Sequence, residues 1–443
     1  GTIMLYSASW NESYIRSGGL TESLFLVNHL KRISIGFLCL FAALIFDYRK
    51  LKSIASYLLA GSIILLIITK GYYLINGIES PARWLNLGLF SFQTSDIARL
   101  SLIIFLAYYL DEIKTRIKNL YDGFLPCITA IGIMMAFIVI QPDFSTAFMV
   151  GLIGILLLFI SGARILHILI SFFTGLLISF PIIYFSTYRW ARIRSFFNPD
   201  IKSDGYQAYQ AELSMSNGGW FGSGLGNSTE KNHLLPTPHT DFIFSIIGEE
   251  LGFLLGTLPL LLVFLFIFFR GIKIARRCTD PFGIFLAMGI CINIVLYAFV
   301  NAAVASGLFP VTGLPMPLIS YGGSGMLINM FISVSTLELL VKATSISLIT
   351  QGESLSCVSF AVRTRPYDPW PTTEPQTYRP PIFSEAEVLR RRIFRIRFRF
   401  SCPFFSNSMS SPPFTSAPPP FCASTILSAS SGASFSEFSG DKT

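Results

Sequence analysis

The sequence predicts an all-α polytopic membrane protein, and three observations carry that expectation. Residues of the hydrophobic class make up 52% of the chain while charged residues make up only 13%, against about a quarter charged in soluble domains. Long apolar runs recur along the first three quarters of the chain, near 33–47, 53–69, 96–110, 124–140, 145–162, 164–185, 243–269, 282–306 and 325–342. Between two of them lies a long polar, glycine-rich stretch (205–252). A membrane protein can hold such backbone only outside the bilayer or in a protein-lined cavity.

The runs are taken as spans. Several are shorter than the roughly 20 residues of an untilted crossing, so flanking polar residues are drawn in and those helices are shielded by the bundle. The opening GTIMLYSASW reads as the last turns of a first span whose N-terminal part is missing, which gives about ten in all. No basic segment followed by an apolar one precedes it, so no signal peptide is expected. Basic residues in short connections set orientation. Arg49, Lys50 and Lys52 follow the second span, Lys114, Arg116 and Lys118 the fourth, Arg164 the sixth, and Arg270, Lys273, Arg276 and Arg277 the eighth. These connections are cytoplasmic. The large loop 186–242, between helices 7 and 8, is then extracytoplasmic, with loops 70–95 and 307–321 on the same side. Its own cluster of Arg189, Arg192 and Arg194 is exempt from the rule because the loop is long.

Two regions follow from composition. Residues 1–342 form the membrane domain, and 343–443 form a low-complexity cytoplasmic tail rich in Ser, Pro, Phe and Arg, expected to be disordered. Within it RRRIFRIRFRF (390–400) alternates basic and apolar residues. It suits the anionic inner leaflet, or has no evolved role. The tail inflates the net charge of +8, which therefore says nothing of nucleic acid. The seven cysteines lack metal or pairing periodicity, and Cys39, Cys127 and Cys291 pack within spans as small apolar groups. Four histidines exclude a histidine-rich metal site.

Four constellations carry candidate chemistry. Arg83 beside Trp84 places a delocalised cation next to an amphipathic ring at the membrane surface. It suits phosphate recognition and headgroup anchoring equally. Asp96 and Arg99 share a helix face at i, i+3, and with Gln141 and Asp143 at the end of the fifth span read as a buried ionic tie between two helices. In PTPHTDFIFSIIGEELGF (236–253) the prolines forbid helix up to His239, and Thr240 or Asp241 suits an N-cap. The competing role for Asp241 is a general base at the water–membrane boundary, its pKa raised by partial burial. His239 and Thr240 flank it as substrate-contacting candidates. Glu249 and Glu250 lie about 12 Å deeper along such a helix and read as structural. Lastly, Ser320, Tyr321 and the N–H groups of Gly322 and Gly323 could cup an anion, or form a rigid turn. Nothing matches a P-loop, a dinucleotide fingerprint, a zinc-protease helix or a nucleophile elbow.

Together, SPARWLNLGLFSFQTSDIARL, QPDFSTA, GGWFGSGLGNSTEKNHLLPTPHTDFIFSIIGEELGF and GLFPVTGLPMPLISYGGSG resemble the SEDS family (shape, elongation, division and sporulation), in family order over nearly all of 1–342. GLGNSTEKNHLLPTPHTDFIF is more similar to the cell-division branch (FtsW) than to the elongation branch (RodA). The resemblance implies ten spans and a peptidoglycan glycosyltransferase that polymerises lipid II at the outer face of the bacterial cytoplasmic membrane, at the division septum. Asp241 falls on the family's catalytic Asp, Arg83 on the Arg of its ARRW-like motif, and Asp96 and Arg99 on the Glu and Lys of its QPSE-x-x-K-like motif. Thr94 departs from the usual Pro, which puts the start of that helix in question, and Ser145 and Gly325 replace a Gly and a Ser. The implied partners are a class B penicillin-binding protein transpeptidase, other division proteins and membrane lipids, with no nucleic acid. Arg83, with Lys231 or the Gly322–Gly323 amides, would neutralise the departing pyrophosphate. A divalent cation (Mg or Mn) could share that task, although no dedicated metal cage is visible and no cofactor is otherwise implied. Two rival classes stay open: a carrier that flips the same lipid, and a non-catalytic division scaffold.

Overall fold

A computed structural model describes residues 1–45, 47–75, 83–86, 91–197, 205–231, 235, 238–322 and 325–330. The predicted tail, the end of the last predicted span and Gly323 lie outside these residues. In order, the elements are α1 (Thr2–Arg16), α2 (Leu24–Ile45), α3 (Arg49–Ile75), a two-stranded antiparallel hairpin β1 (Trp84–Asn86) and β2 (Ser91–Gln93), α4 (Thr94–Ile113), α5 (Leu125–Ile140), α6 (Phe144–Ile160), α7 (Ile165–Tyr184), α8 (Thr187–Phe197), α9 (Tyr206–Gly218), α10 (Ile243–Gly252), α11 (Leu258–Arg277) and α12 (Pro281–Ala305). Among the described residues five helical stretches are long and apolar enough to cross a membrane: 49–75, 120–140, 165–184, 243–277 and 281–305. The shorter apolar α6 stands beside them. The protein is a multi-pass helical membrane protein.

Apolar composition on every side, rather than one stripe, is the mark of a helix buried all round. α4 and α12 have it, and they form the centre. α4 buries Ala98, Leu102, Ile103, Leu106, Ala107 and Leu110, and α12 buries Leu286, Ala287, Ile290, Ile294 and Ala298. α3 packs on α4, α11 on α12, and α5 on α6. α7 buries none of its residues.

Three departures from the sequence reading shape the site. The segment 186–242 is not one irregular loop, because it contains α8 and α9. α2 starts at Leu24, since Lys31 and Arg32 interrupt hydropathy without interrupting the helix. The span expected over 243–269 is broken: Gly252 takes φ +76, a π-helical turn (Phe253–Thr257) follows, and α11 resumes.

A broken helix inside a bundle needs its freed backbone groups satisfied by protein. The segment after α9 does this. The N–H groups of Ser223 and Gly224 donate to the carbonyls of Glu249 and Glu250 at 2.9 and 3.0 Å, and those of Phe253 and Leu254 donate back to Gly219 and Trp220 at 2.9 and 3.0 Å. This ladder requires close backbone approach. A Cβ on Gly218 would lie 2.0 Å from the Gly248 carbonyl oxygen and 2.7 Å from the Glu249 Cα. Because backbone sits on backbone there, Gly218→Ala is expected to destabilise the protein by about 1–3 kcal/mol or more. A thermal midpoint in detergent equal to that of the wild type would contradict it.

Candidate active site

The turn ahead of α10 holds Asp241. The helix begins at Ile243 with Phe242 in the capping position and no side-chain cap. Neither Thr240 nor Asp241 therefore caps the helix, which corrects the sequence expectation and frees the Asp241 carboxylate from the structural role it was weighed against. The backbone carbonyl of Asp241 accepts from Asn301 Nδ2 at 2.8 Å, and the same amide donates to the carbonyl of Leu314 at 2.8 Å. The carboxylate thus faces the 307–321 segment, where a Cβ on Gly313 would sit 3.4 Å from Asp241 Oδ2.

Three arginines gather on this side. Arg192 of α8 donates through Nη1 to the carbonyl of Val311 at 3.0 Å, two residues from Gly313. Arg83 donates through Nη2 to the carbonyl of Pro142, at the α5–α6 corner. Arg189 of α8 lies over the ring of Phe144, at the same corner, with 5.3 Å to the centroid. Burial pushes the Asp241 carboxyl above its ordinary value, and the charges of Arg192 and Arg83 pull it partly back. Burial lowers the pKa of Arg189, and repulsion by Arg83 lowers it further. Trp84, 39% exposed, pairs with Gln93 in the hairpin, and its carbonyl accepts from the Tyr73 hydroxyl at 3.0 Å.

His239 turns away from this cluster. Its Nδ1 lies 3.2 Å from Glu12 Oε2, its ring packs between Phe25 and Tyr321, and its carbonyl accepts from the Tyr321 N–H at 2.9 Å. Burial lowers its pKa, opposed by Glu12. It fastens the turn to α1. Thr240 is half-buried beside it. The Ser320 hydroxyl accepts from the Met316 N–H at 2.8 Å. That hydroxyl accepts internally and the Tyr321 N–H is taken by the His239 carbonyl, which fixes the 320–321 turn. Gly322 continues it, and Gly323 lies outside the described residues.

Lys231 is likewise reassigned. Its ammonium is 4% exposed and donates to Glu250 Oε1 at 2.7 Å, the Gly226 carbonyl at 2.7 Å and Ser7 Oγ at 3.1 Å. A charge so enclosed neutralises Glu250 and has no face left for substrate. Among the described residues Glu249 is held by neutral donors, accepting from Ser214 Oγ at 2.7 Å, Ser228 Oγ at 2.6 Å and the Thr229 N–H at 2.8 Å. This network ties α1, α9, the 219–231 segment and α10 together.

The expected ionic tie between helices also takes a different form. Arg99 pairs with Asp96 on its own helix at 3.0 Å and lies over the Tyr297 ring at 4.2 Å. The contact between helices is made by neutral donors: Gln93 Nε2 and Ser95 Oγ both donate to Asp143 Oδ2 at 2.9 Å. Gln141 accepts from Thr94 Oγ1 at 3.2 Å and donates to the Leu66 carbonyl at 3.0 Å. Thr94 is the first residue of α4, so the helix starts there without a proline.

Sequence reasoning missed Asn301, Arg189 and Arg192 as site residues. The two arginines were visible only as loop charges, although their i, i+3 spacing would have placed them on one face had the segment been read as helix.

Comparison with known proteins shows the family and the fold of the chain. The profile of the FtsW/RodA/SpoVE cell cycle protein family matches residues 1–344. A probable peptidoglycan glycosyltransferase FtsW from Geobacter metallireducens is 35% identical over 339 residues, covering 75% of this chain and 88% of its own. Stage V sporulation protein E of Bacillus subtilis is 36% identical over 340 residues, covering 74% and 89%. Among solved structures, a chain from a peptidoglycan synthase complex superposes with a TM-score of 0.60 at 24% identity, covering 77% of this chain and 96% of its own, a likeness of fold. The rod shape determining protein RodA of Thermus thermophilus gives 0.53 at 25% identity, covering 77% and 94%.

Proposed function

Because the chain belongs to the FtsW/RodA/SpoVE family of cell cycle proteins, we propose that it is a peptidoglycan glycosyltransferase of the cell-division branch, polymerising lipid II with Asp241 as general base. The observation that carries this is the Asp241 carboxylate: half-buried, not spent on capping α10, and set across the 307–321 segment from a group of arginines. In this reading the 4-hydroxyl of the acceptor GlcNAc attacks the anomeric carbon of the donor chain's terminal MurNAc. The new C–O bond forms on the face opposite the departing one, the hydroxyl proton passes to Asp241, and polyprenyl pyrophosphate leaves with the electron pair of the broken C–O bond. Arg83 stabilises the charge that develops on that group.

The same reading gives ten spans, with Asp241 on the outer side of the cytoplasmic membrane at the division septum, and a class B penicillin-binding protein that cross-links the product. Among the described residues no three His, Cys, Asp or Glu side chains come together as a metal cage. A divalent ion would rest on the substrate phosphates, and no step is assigned to it. Against the carrier reading stands the internal engagement of the deep charges: Glu250 is paired with Lys231 and Asp96 with Arg99, while Glu249 and Asp143 accept from neutral donors.

The test is reconstitution of the purified full chain with its transpeptidase partner in lipid II-containing liposomes, with glycan read on gels across pH. Glycan formation is expected. Its rate should fall on acidification, because the base must be ionised. With the Asp241 carboxyl raised by burial, this acid limb should lie above the ordinary aspartate value of about 3.9. Transfer of lipid II across the bilayer without glycan would overturn the proposal.

A further inference from the structure

We propose that Arg189 and Arg192 of α8, together with Arg83, form the seat that holds the pyrophosphate of the lipid-linked donor. This rests on the reading of Asp241 as base and assigns the opposite wall of the same site.

The first ground is that, among the described residues, no carboxylate stands in ion-pair contact with these arginines, Asp241 sensing Arg192 and Arg83 from beyond that reach. Among the described residues, Arg16, Lys52, Arg99 and Lys231 each meet a carboxylate within 4.0 Å, whereas Arg83, Arg189 and Arg192 meet none. Three guanidinium groups gathered at one place repel one another unless an anion joins them. What holds them is neutral: carbonyl oxygens of Pro142, Ile182 and Val311 and the rings of Phe144 and Tyr188. Each of these carbonyls takes one of the five N–H donors that a guanidinium carries, which leaves a fork for phosphate oxygens. Arg83 Nε is buried without a partner.

The second ground is placement. Arg189 and Arg192 are one turn apart on α8, so one helix face presents both. Arg189 reaches the α5–α6 corner where Arg83 is anchored, and Arg192 reaches the 307–321 segment that faces Asp241. α8 directly follows α7 and carries Tyr188, Trp190, Phe196 and Phe197, residues suited to the headgroup level of a bilayer. That is the depth at which the pyrophosphate of a membrane-held polyprenyl lipid lies. As the glycosidic C–O bond breaks, negative charge grows on the leaving diphosphate, and fixed guanidinium groups stabilise it without reorganisation.

The experiment compares the full chain with the Arg189→Gln/Arg192→Gln and Arg192→Lys variants, each reconstituted with the transpeptidase partner. Lipid II binding and polymerisation kinetics are read, with polyprenyl pyrophosphate and phosphatidylglycerol as competitors. Loss of two charged contacts should weaken lipid II binding or raise KM by about 10- to 100-fold, and Arg192→Lys should recover part of it. Polyprenyl pyrophosphate should compete with the wild type and lose its advantage over phosphatidylglycerol in the Gln pair. Arg192→Lys keeps a donor for the Val311 carbonyl, so a midpoint equal to wild type there separates binding from folding. Unchanged binding and kinetics in the Gln pair, or equal competition by the two lipids on the wild type, would overturn the seat. Either result leaves the base reading standing so long as Asp241→Asn is inactive, whereas glycan synthesis by Asp241→Asn overturns that reading instead.

Discussion

Asp241→Asn is expected to abolish glycan synthesis while leaving the protein folded and able to bind lipid II. A positioned general base contributes about 10²- to 10⁴-fold to rate, and the amide keeps the shape of the carboxylate without its basicity. The fold should tolerate the change, because α10 takes no cap from this side chain and Asn301 grips its backbone carbonyl rather than its carboxylate. Stability carries a further signature. The folded-state carboxyl titrates above its unfolded value, so ionisation is a cost that the native state bears once pH rises through the ordinary range into the raised one. Asn removes that cost. The thermal midpoint of the variant should therefore equal or exceed that of the wild type at neutral pH, and the gap should close on acidification. Glycan made at the wild-type rate, measured on purified protein, would remove Asp241 from the mechanism.

Lys231→Met is expected to destabilise the protein by about 3–5 kcal/mol, the usual cost of leaving one member of a buried pair uncompensated. Glu250 is 1% exposed, and among the described residues its oxygens also accept from the Ser7 hydroxyl, at 2.5 and 2.7 Å. Replacing both charges, as Lys231→Met with Glu250→Leu, should recover much of the loss, because an apolar pair of similar volume carries no desolvation penalty. Denaturation in detergent of the two single variants and the pair completes a double-mutant cycle. The pair also decides the role of Lys231: a folded double variant that has lost lipid II binding would place that ammonium on the substrate after all.

Where the sequence was legible, long apolar runs made it so. Expected spans at 124–140, 164–185 and 282–306 meet observed helices at 125–140, 165–184 and 281–305 within a residue or so. Hydropathy fails where polarity and helix coexist. α9 is a helix of mostly small and polar residues in YQAYQAELSMSNG, and the first turns of α2 carry Lys31 and Arg32. The break at Gly252 was hidden for the opposite reason: IIGEELGFLLGT stays apolar enough to read as one span, and a positive φ leaves no periodic trace. At the site, the choice of Asp241 came from its place at a helix mouth. The assignment that moved, Lys231, moved because its partner is a group that spacing does not reveal. Glu250, nineteen residues on, was noted in the sequence on its own account, and nothing in the order of residues joins it to Lys231.

One side chain has a wider reach than its size suggests. A single carboxamide on α12 grips both the Asp241 carbonyl and the Leu314 carbonyl, so the two backbone segments that face each other across the candidate site are pinned to one helix, and loosening that helix would widen both sides of the cleft at once.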